Sequence, residues 1–198
     1  MQNIIFKIVS NLPVVFIQDF YDKEELELIM KELHYFRDEN IFKKPGDPFG
    51  PGTAIRDGVE LKDGLGLHLD SFYDKRRDES NILRVNRKLF STEVVTLLEG
   101  LHTFFRYISE SSEDNTKIHY FNQGNHYKQH IDSTTVTAIS YFHDIPKTFT
   151  GGELIIESQL QLPCLNNSLV IFPSILWHEV TPVEGTGRYA MSQFISMA

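Results

Sequence analysis

Residues 22–38, DKEELELIMKELHYFRD, set Leu26, Ile29, Met30 and Leu33 at helical spacing with charged residues between them. Asp22 stands where an N-cap is needed and acids fill the first turn, so the pattern predicts an amphipathic helix. A second stretch, 91–109, repeats Val94, Val95, Leu98, Leu101, Phe104 and Phe105 with the same period and predicts a helix that backs a sheet. Beyond Thr116 the period changes. KIHYFN, HYKQHID, TTVTAISYF, ELIIES, NSLVIF and RYAMSQFI are short apolar or alternating runs separated by Gly, Pro, Asn and Asp, the mark of strands joined by turns. Helix-length crossovers are missing between them, which points to an antiparallel sandwich or barrel rather than a parallel sheet. The expected fold class is mainly β with supporting helices. Residues 1–198 read as one domain, with 1–116 as helical support and a loop or lid region and 117–198 as the core.

Several segments of the first half read as connections. From Lys43 to Gly66, KKPGDPFGPGT and RDGVELKDGLG concentrate turn formers, with room for a short hairpin. A loop this long in a small domain is either a lid or substrate-binding flap or an insertion without a role. Asp70 to Asp78, with its YDKRRDE run (73–79), reads as a solvated charged face, and SESSEDNT (109–116) as a polar turn between the two halves. The start, MQNIIFKIVSNLPVVFIQDF, has one Lys, polar interruptions at Ser10 and Asn11 and no small-residue cleavage site. It reads as a strand-forming edge rather than a signal peptide.

Composition narrows the function classes. With 198 residues, 41% apolar, including 15 Phe and 8 Tyr, the chain can bury a real core. A net charge of -8 argues against a general nucleic-acid binder, which needs a basic surface, but leaves room for a small anion held by one buried Arg. The single cysteine, Cys164, excludes an internal disulfide and a Cys-rich zinc site, so metal ligands must be His and carboxylate. No apolar run has the length of a membrane span, and the expectation is a soluble, cytoplasmic protein.

The candidate chemistry lies in HYKQHID and after it. In a strand, residues two apart share a face, so His130 and Asp132 project together while Ile131 turns into packing. His178, in LWHEVTPV after the apolar run SLVIF, is the best third ligand. Two His and one carboxylate cover one face of an octahedral ion and leave the other positions open, which favours Fe(II) over a closed zinc site. Arg188 lies in the apolar last strand and needs an anionic partner, either a protein acid or a dicarboxylate whose far end reaches the metal.

In this order, His130-x-Asp132, FTGGELII (149–156), LVIFPS, His178, EVTPV and Arg188 resemble the 2-oxoglutarate and Fe(II)-dependent dioxygenases, and within them the prolyl 4-hydroxylase-like branch. The resemblance covers Lys117 to Phe194. It implies a double-stranded β-helix, a jelly roll of two antiparallel sheets with N-terminal helices packed on one of them. It also implies iron ligation by His130, Asp132 and His178 and a salt bridge from Arg188 to the distal carboxylate of 2-oxoglutarate. Tyr120 matches a cosubstrate-pocket tyrosine and Tyr141 a tyrosine supporting the distal carboxylate; both also fit as amphipathic core residues. Gly151 and Gly152 match a structural turn. Asp132 favours hydroxylation over halogenation, since related halogenases lack this carboxylate.

The implied reaction uses Fe(II), 2-oxoglutarate and O2, with ascorbate as a candidate reductant, and yields succinate, carbon dioxide and a hydroxylated C–H. The expected partner is a peptide, protein or small-molecule substrate, with no nucleic acid and no membrane, and proline or a proline-like group as the target. Alternatives are a natural-product hydroxylase on the same core, a noncatalytic cupin-like metal-binding module and a zinc-type hydrolase. By strand parity His119 points away from Tyr120 and out of the pocket, and distance along the strand places His126 at a rim or on the surface.

Overall fold

An antiparallel hairpin opens the computed structural model, which describes residues 3–111 and 113–197. Met1 and Gln2 of the strand-forming start, Ser112 of the polar turn and Ala198 lie outside the described residues. Strands β1 (Ile4–Val9) and β2 (Leu12–Gln18) pair with Val9 opposite Leu12. The polar interruption Ser10–Asn11 is their turn, with φ of 49° and 63° at the two residues, as a two-residue hairpin of matching twist requires. Helix α1 (Lys23–Asp38) follows, started by a capping box in which Asp22 and Glu25 exchange side-chain to backbone bonds. Its buried Glu32 accepts from Ser80 Oγ, the Tyr73 hydroxyl and Ile82 N–H, which ties the next helices to α1.

The Gly/Pro-rich segment contains the hairpin β3 (Ile55–Arg56) and β4 (Val59–Glu60), turned at Asp57–Gly58, then β5 (Leu65–His68). Short helices α2 (Leu69–Phe72) and α3 (Asn81–Val85) lead to α4 (Thr92–Leu101) and α5 (Arg106–Ser109). The single helix expected over 91–109 is therefore broken. His102 is extended (φ -161°, ψ 138°), and its Nδ1 accepts from Phe104 N–H, restarting the chain in a new direction.

The second half holds β6 (Glu113–Phe121), β7 (Tyr127–His130), β8 (Val136–Phe142), β9 (Phe149–Gly151) and β10 (Leu154–Ile156). It continues with β11 (Leu160–Leu162), β12 (Ser168–Pro173), β13 (His178–Val180), β14 (Val183–Gly185) and β15 (Arg188–Ser196). The major sheet runs β1-β2-β12-β8-β15-β6-β5 and the minor sheet β11-β10-β13-β7, both antiparallel, with β14-β9 as a separate pair. This is the expected mainly-β architecture, with one correction to its boundaries. The β-rich core is not confined to 117–198, because β1, β2 and β5 extend the major sheet on both sides.

Alternation along the strands divides the interior in two. Val15, Ile17, Ile118, Val136, Ala138, Leu169, Ile171, Tyr189 and Met191 face the helices and pack with Ile29, Leu33 and Phe36 of α1. Their neighbours Val14, Phe16, Phe121, Ile139, Tyr141, Val170, Phe172 and Ala190 face the minor sheet. The helices thus cover one face of the major sheet and leave the other to the space between the sheets. The 70–78 run is not simply solvated: Arg77 bridges Asp70 (2.7 Å) and Asp114 of β6 (3.1 Å), pinning the segment to the sheet edge. No helix among the described residues is long and apolar enough to cross a membrane.

Candidate active site

Three side chains converge where the minor sheet meets the end of β8. His130 ends β7 and pairs in register with His178, the first residue of β13, so adjacent strands present the two imidazoles together. Asp132 lies just past the end of β7 rather than within it, held by its N–H bond to the Ser174 carbonyl. Because the chain has left the strand, Ile131 is not turned into packing as expected but is 45% exposed. One ligand atom from each of His130, Asp132 and His178 lies within 4.8 Å of the others, a set suited to a metal ion.

Hydrogen bonds around the three orient them. Nδ1–H of His130 donates to the Lys128 carbonyl and Nδ1–H of His178 to the Leu176 carbonyl, each at 2.9 Å. Both Nε2 atoms are thereby directed toward Asp132, at 3.9 Å from Oδ1 and 3.4 Å from Oδ2. Thr137 Oγ1 donates to Asp132 Oδ2 at 2.7 Å. Its proton so used, Thr137 accepts from Ser174 Oγ (2.8 Å), which accepts in turn from Thr134 (2.9 Å). Burial, with His178 second, pushes His130 down to about 4, leaving a neutral imidazole able to bind a cation. Burial pushes the Asp132 carboxyl up, but the adjacent His178 and the hydrogen bond from Thr137 outweigh it and hold the group below its ordinary value. Tyr127 stacks on His130 with ring centroids 3.5 Å apart.

The inner face of the major sheet forms the rest of a cavity of about 170 Å³. Its residues fall in rows set by register: Arg188 opposite Phe121, Ala190 opposite His119 and Tyr141, Ser192 opposite Lys117 and Ile139, Phe194 opposite Asn115 and Thr137. Arg188 is fully buried. Its Nε donates to the Gly152 carbonyl at 3.0 Å, and the ring faces of Phe121 and Tyr141 lie 4.9 and 5.1 Å away. Gly152 is required here: its φ is +71°, and a Cβ would lie 2.5 Å from Arg188 Cδ.

Both terminal guanidinium nitrogens of Arg188 and the Tyr141 hydroxyl are buried without a hydrogen-bond partner. No protein carboxylate pairs with Arg188 among the described residues, which removes the structural salt bridge as its explanation. The neighbouring Cys164 thiol, pushed up by burial and pulled back by the guanidinium, is a weak acceptor that cannot replace an anion. Burial also pushes the Tyr141 phenol up, so it remains a donor. Unpartnered guanidinium nitrogens and a phenol lining one cavity match a carboxylate, as a buried cation demands.

Two expectations about neighbouring residues are corrected. Tyr120 does not line the cavity; it faces the helices, stacked on Phe42 (5.2 Å) and Tyr189 (4.9 Å). The Arg188–Phe121 register puts odd-numbered β6 residues inside, so His119, expected outside, lines the cavity with an unpartnered Nδ1. His126 stays at the rim, its N–H bonded to Asp63 at 2.9 Å, and Trp177 is 40% exposed beneath the Arg56 guanidinium. Lys62, Lys117 and Tyr127 are cavity residues that sequence reasoning missed. For Lys117 the signal was the alternation of Lys117, His119 and Phe121 against Ile118 and Tyr120.

Residues 116–196 match the 2OG-Fe(II) oxygenase superfamily. Over 137 residues, 62% of this chain, the sequence is 28% identical to a PKHD-type hydroxylase of Pseudoalteromonas atlantica, and it spans 59% of that relative's length. A prolyl-4-hydroxylase from Pseudomonas putida superposes with a TM-score of 0.58 at 14% identity, over 93% of this chain and 92% of that one. A prolyl hydroxylase from Trichoplax adhaerens, solved with a hypoxia inducible factor oxygen degradation domain peptide fragment, gives 0.62 at 13% identity, over 92% and 83%. At such identities the likeness to the solved structures is one of fold.

Proposed function

We propose that the chain, whose residues 116–196 match the 2OG-Fe(II) oxygenase superfamily, is an Fe(II)- and 2-oxoglutarate-dependent hydroxylase acting on a prolyl or proline-like C–H. One observation carries the reading. A His/Asp/His set open on one side shares a cavity with a buried guanidinium whose two terminal nitrogens have no partner. The first fits Fe(II) and the second fits the far carboxylate of 2-oxoglutarate, supported by Tyr141. When bound, iron with 2-oxoglutarate and O2 supplies the oxidising power, converting the cosubstrate to succinate and carbon dioxide as the substrate gains a hydroxyl group.

The chain's own residues bind and orient. Lys128 and Leu176 carbonyls fix the imidazoles, Thr137 fixes Asp132, and Gly152 fixes Arg188. Phe121, Ile139 and Ala190 line the path between the two ends and keep it apolar. Exposed Ile131, Ile175 and Trp177, each next to or near a ligand in sequence, offer apolar surface on which a peptide bearing the target could rest. The relatives named for prolyl hydroxylation support the substrate class. The test is to mix iron-loaded protein with 2-oxoglutarate and proline-containing peptides or free proline and follow succinate and hydroxyproline. Matched formation of both is expected. Succinate no higher than in the metal-free control would overturn the reading.

A further inference from the structure

The inner face of the major sheet carries more positive charge than the proposed iron and 2-oxoglutarate site uses. Lys117 projects from β6 opposite Ser192, four residues along β15 from Arg188, roughly 13 Å at ~3.3 Å per residue. Lys62 arrives at the same cavity from the Gly/Pro-rich flap. Its position is built rather than incidental. Lys62 bridges Tyr127 as an isolated strand pair, Lys128 N–H bonds the Leu61 carbonyl at 2.7 Å, and His126 N–H bonds Asp63 at 2.9 Å.

Lys62 is only 7% exposed, and among the described residues neither lysine has an ion-pair partner. Each lies against an aromatic ring instead, Lys62 Nζ 5.2 Å from Tyr127 and Lys117 Nζ 4.9 Å from Phe194. Burial pushes Lys62 down to about 8 and lowers Lys117 as well. The acid whose charge both lysines feel is Asp132, already assigned to iron.

The charges decide what is missing. Divalent iron, the Asp132 carboxylate, a dianionic 2-oxoglutarate and the Arg188 guanidinium sum to zero. Lys62, buried, and Lys117, half-buried, remain, and cations withdrawn from water without a counter-charge are costly to hold. A neutral peptide segment would leave them so.

We propose that the oxidised substrate carries a carboxylate, held by Lys62 and Lys117 at the end of the cavity remote from Arg188. The inference rests on the oxygenase reading and deepens it: the target is a proline-like free acid or a proline beside an acidic residue. Ser192, opposite Lys117, and Asn115, on the next row, are further donors for that carboxylate.

The experiment is calorimetric titration of Mn(II)-loaded protein saturated with 2-oxoglutarate, using two matched pairs. L-Proline is compared with L-prolinamide, and acetyl-Glu-Pro-Gly-amide with acetyl-Gln-Pro-Gly-amide. In at least one pair the acid should bind about tenfold or more tighter than its neutral twin, and the pair that does so identifies the source of the carboxylate. Lys62→Met/Lys117→Met should bring the pair to within about twofold while leaving 2-oxoglutarate affinity within about threefold of wild type. Lys117→Gln alone, the milder change, should reduce the preference in part. Equal binding of acid and neutral twin in both pairs would overturn the proposal. So would a preference that survives in the double variant, or a double variant that loses 2-oxoglutarate binding as Arg188→Met does. Failure of 2-oxoglutarate to bind the metal-loaded wild type would instead overturn the oxygenase reading itself.

Discussion

The two faces of the seven-stranded sheet are built from the same strands, yet one is closed and the other is left wanting partners. On the helix side Ile118, Met191, Val136 and Leu169 are fully or almost fully buried among apolar neighbours, and Tyr120 completes an aromatic stack with Phe42 and Tyr189. One residue along each strand the environment inverts. Arg188, Tyr141 and His119 are buried with polar atoms unpartnered, and Lys117 faces the same space. Each buried aliphatic on the first face contributes about 1.5–3 kcal/mol to folding, whereas each unpartnered polar group on the second costs about 1–3 kcal/mol. The helices on the first face hold in place a second face whose polar groups find no partner among the described residues.

Substitutions on the two faces should therefore separate binding from stability. Asp132→Ala has the largest effect expected: metal titration should show no specific site and succinate formation should fall to the metal-free background. Arg188→Met comes next. It should raise the 2-oxoglutarate concentration for half-saturation about a hundredfold or more, since a desolvated charged pair is worth ~2–5 kcal/mol, while iron affinity is retained. Removing a buried, unpartnered cation should leave the melting temperature of the ligand-free protein unchanged or raised. Met191→Ala, three residues away on the same strand but on the helix face, should do the reverse. Its cavity should cost about 2–5 kcal/mol in denaturant unfolding, with the folded fraction binding 2-oxoglutarate normally.

Smaller effects test finer contrasts. Thr137→Val removes the hydrogen bond to Asp132 and should weaken metal binding about 10–100-fold without loss of fold. The preference for acid over neutral probes should be full below pH 8 and fade as pH rises through about 8, because the charged Lys62 loses its proton there. Lys117, lowered from its ordinary value too, should add a second decline at higher pH. Binding of the anion itself will move both upward. Tyr120→Phe, confined to the helix face, should change 2-oxoglutarate affinity by less than about twofold and stability within about 0.5 kcal/mol.

How far the sequence can be read follows from the same two faces. His130, Asp132, His178 and Arg188 stand out because apolar strands have no packing use for an imidazole pair, a carboxylate or a guanidinium, and the structure brings them to one cavity. Strand phase is different. Whether Tyr120 or His119 faces inward depends on the register of β6 against β15, which is set by residues about seventy positions away and is invisible in a local pattern. Ile131 was misjudged because alternation holds only within a strand, and β7 ends at His130. Lys62 reaches the cavity through a flap whose path is set by bonds to Tyr127, Lys128 and His126, none of them local in sequence. The amino-terminal hairpin was legible as strand-forming, but its place at the edge of the major sheet was not, because β2 pairs with β12 far along the chain.

The most direct measurement is equilibrium binding of 2-oxoglutarate to the Mn(II)-loaded protein, wild type against Arg188→Met. Saturable one-to-one binding in the wild type that requires the metal, weakened about a hundredfold or more in the variant, is the predicted result. Equal affinity in the two proteins would contradict the assignment of the unpartnered guanidinium to the cosubstrate carboxylate.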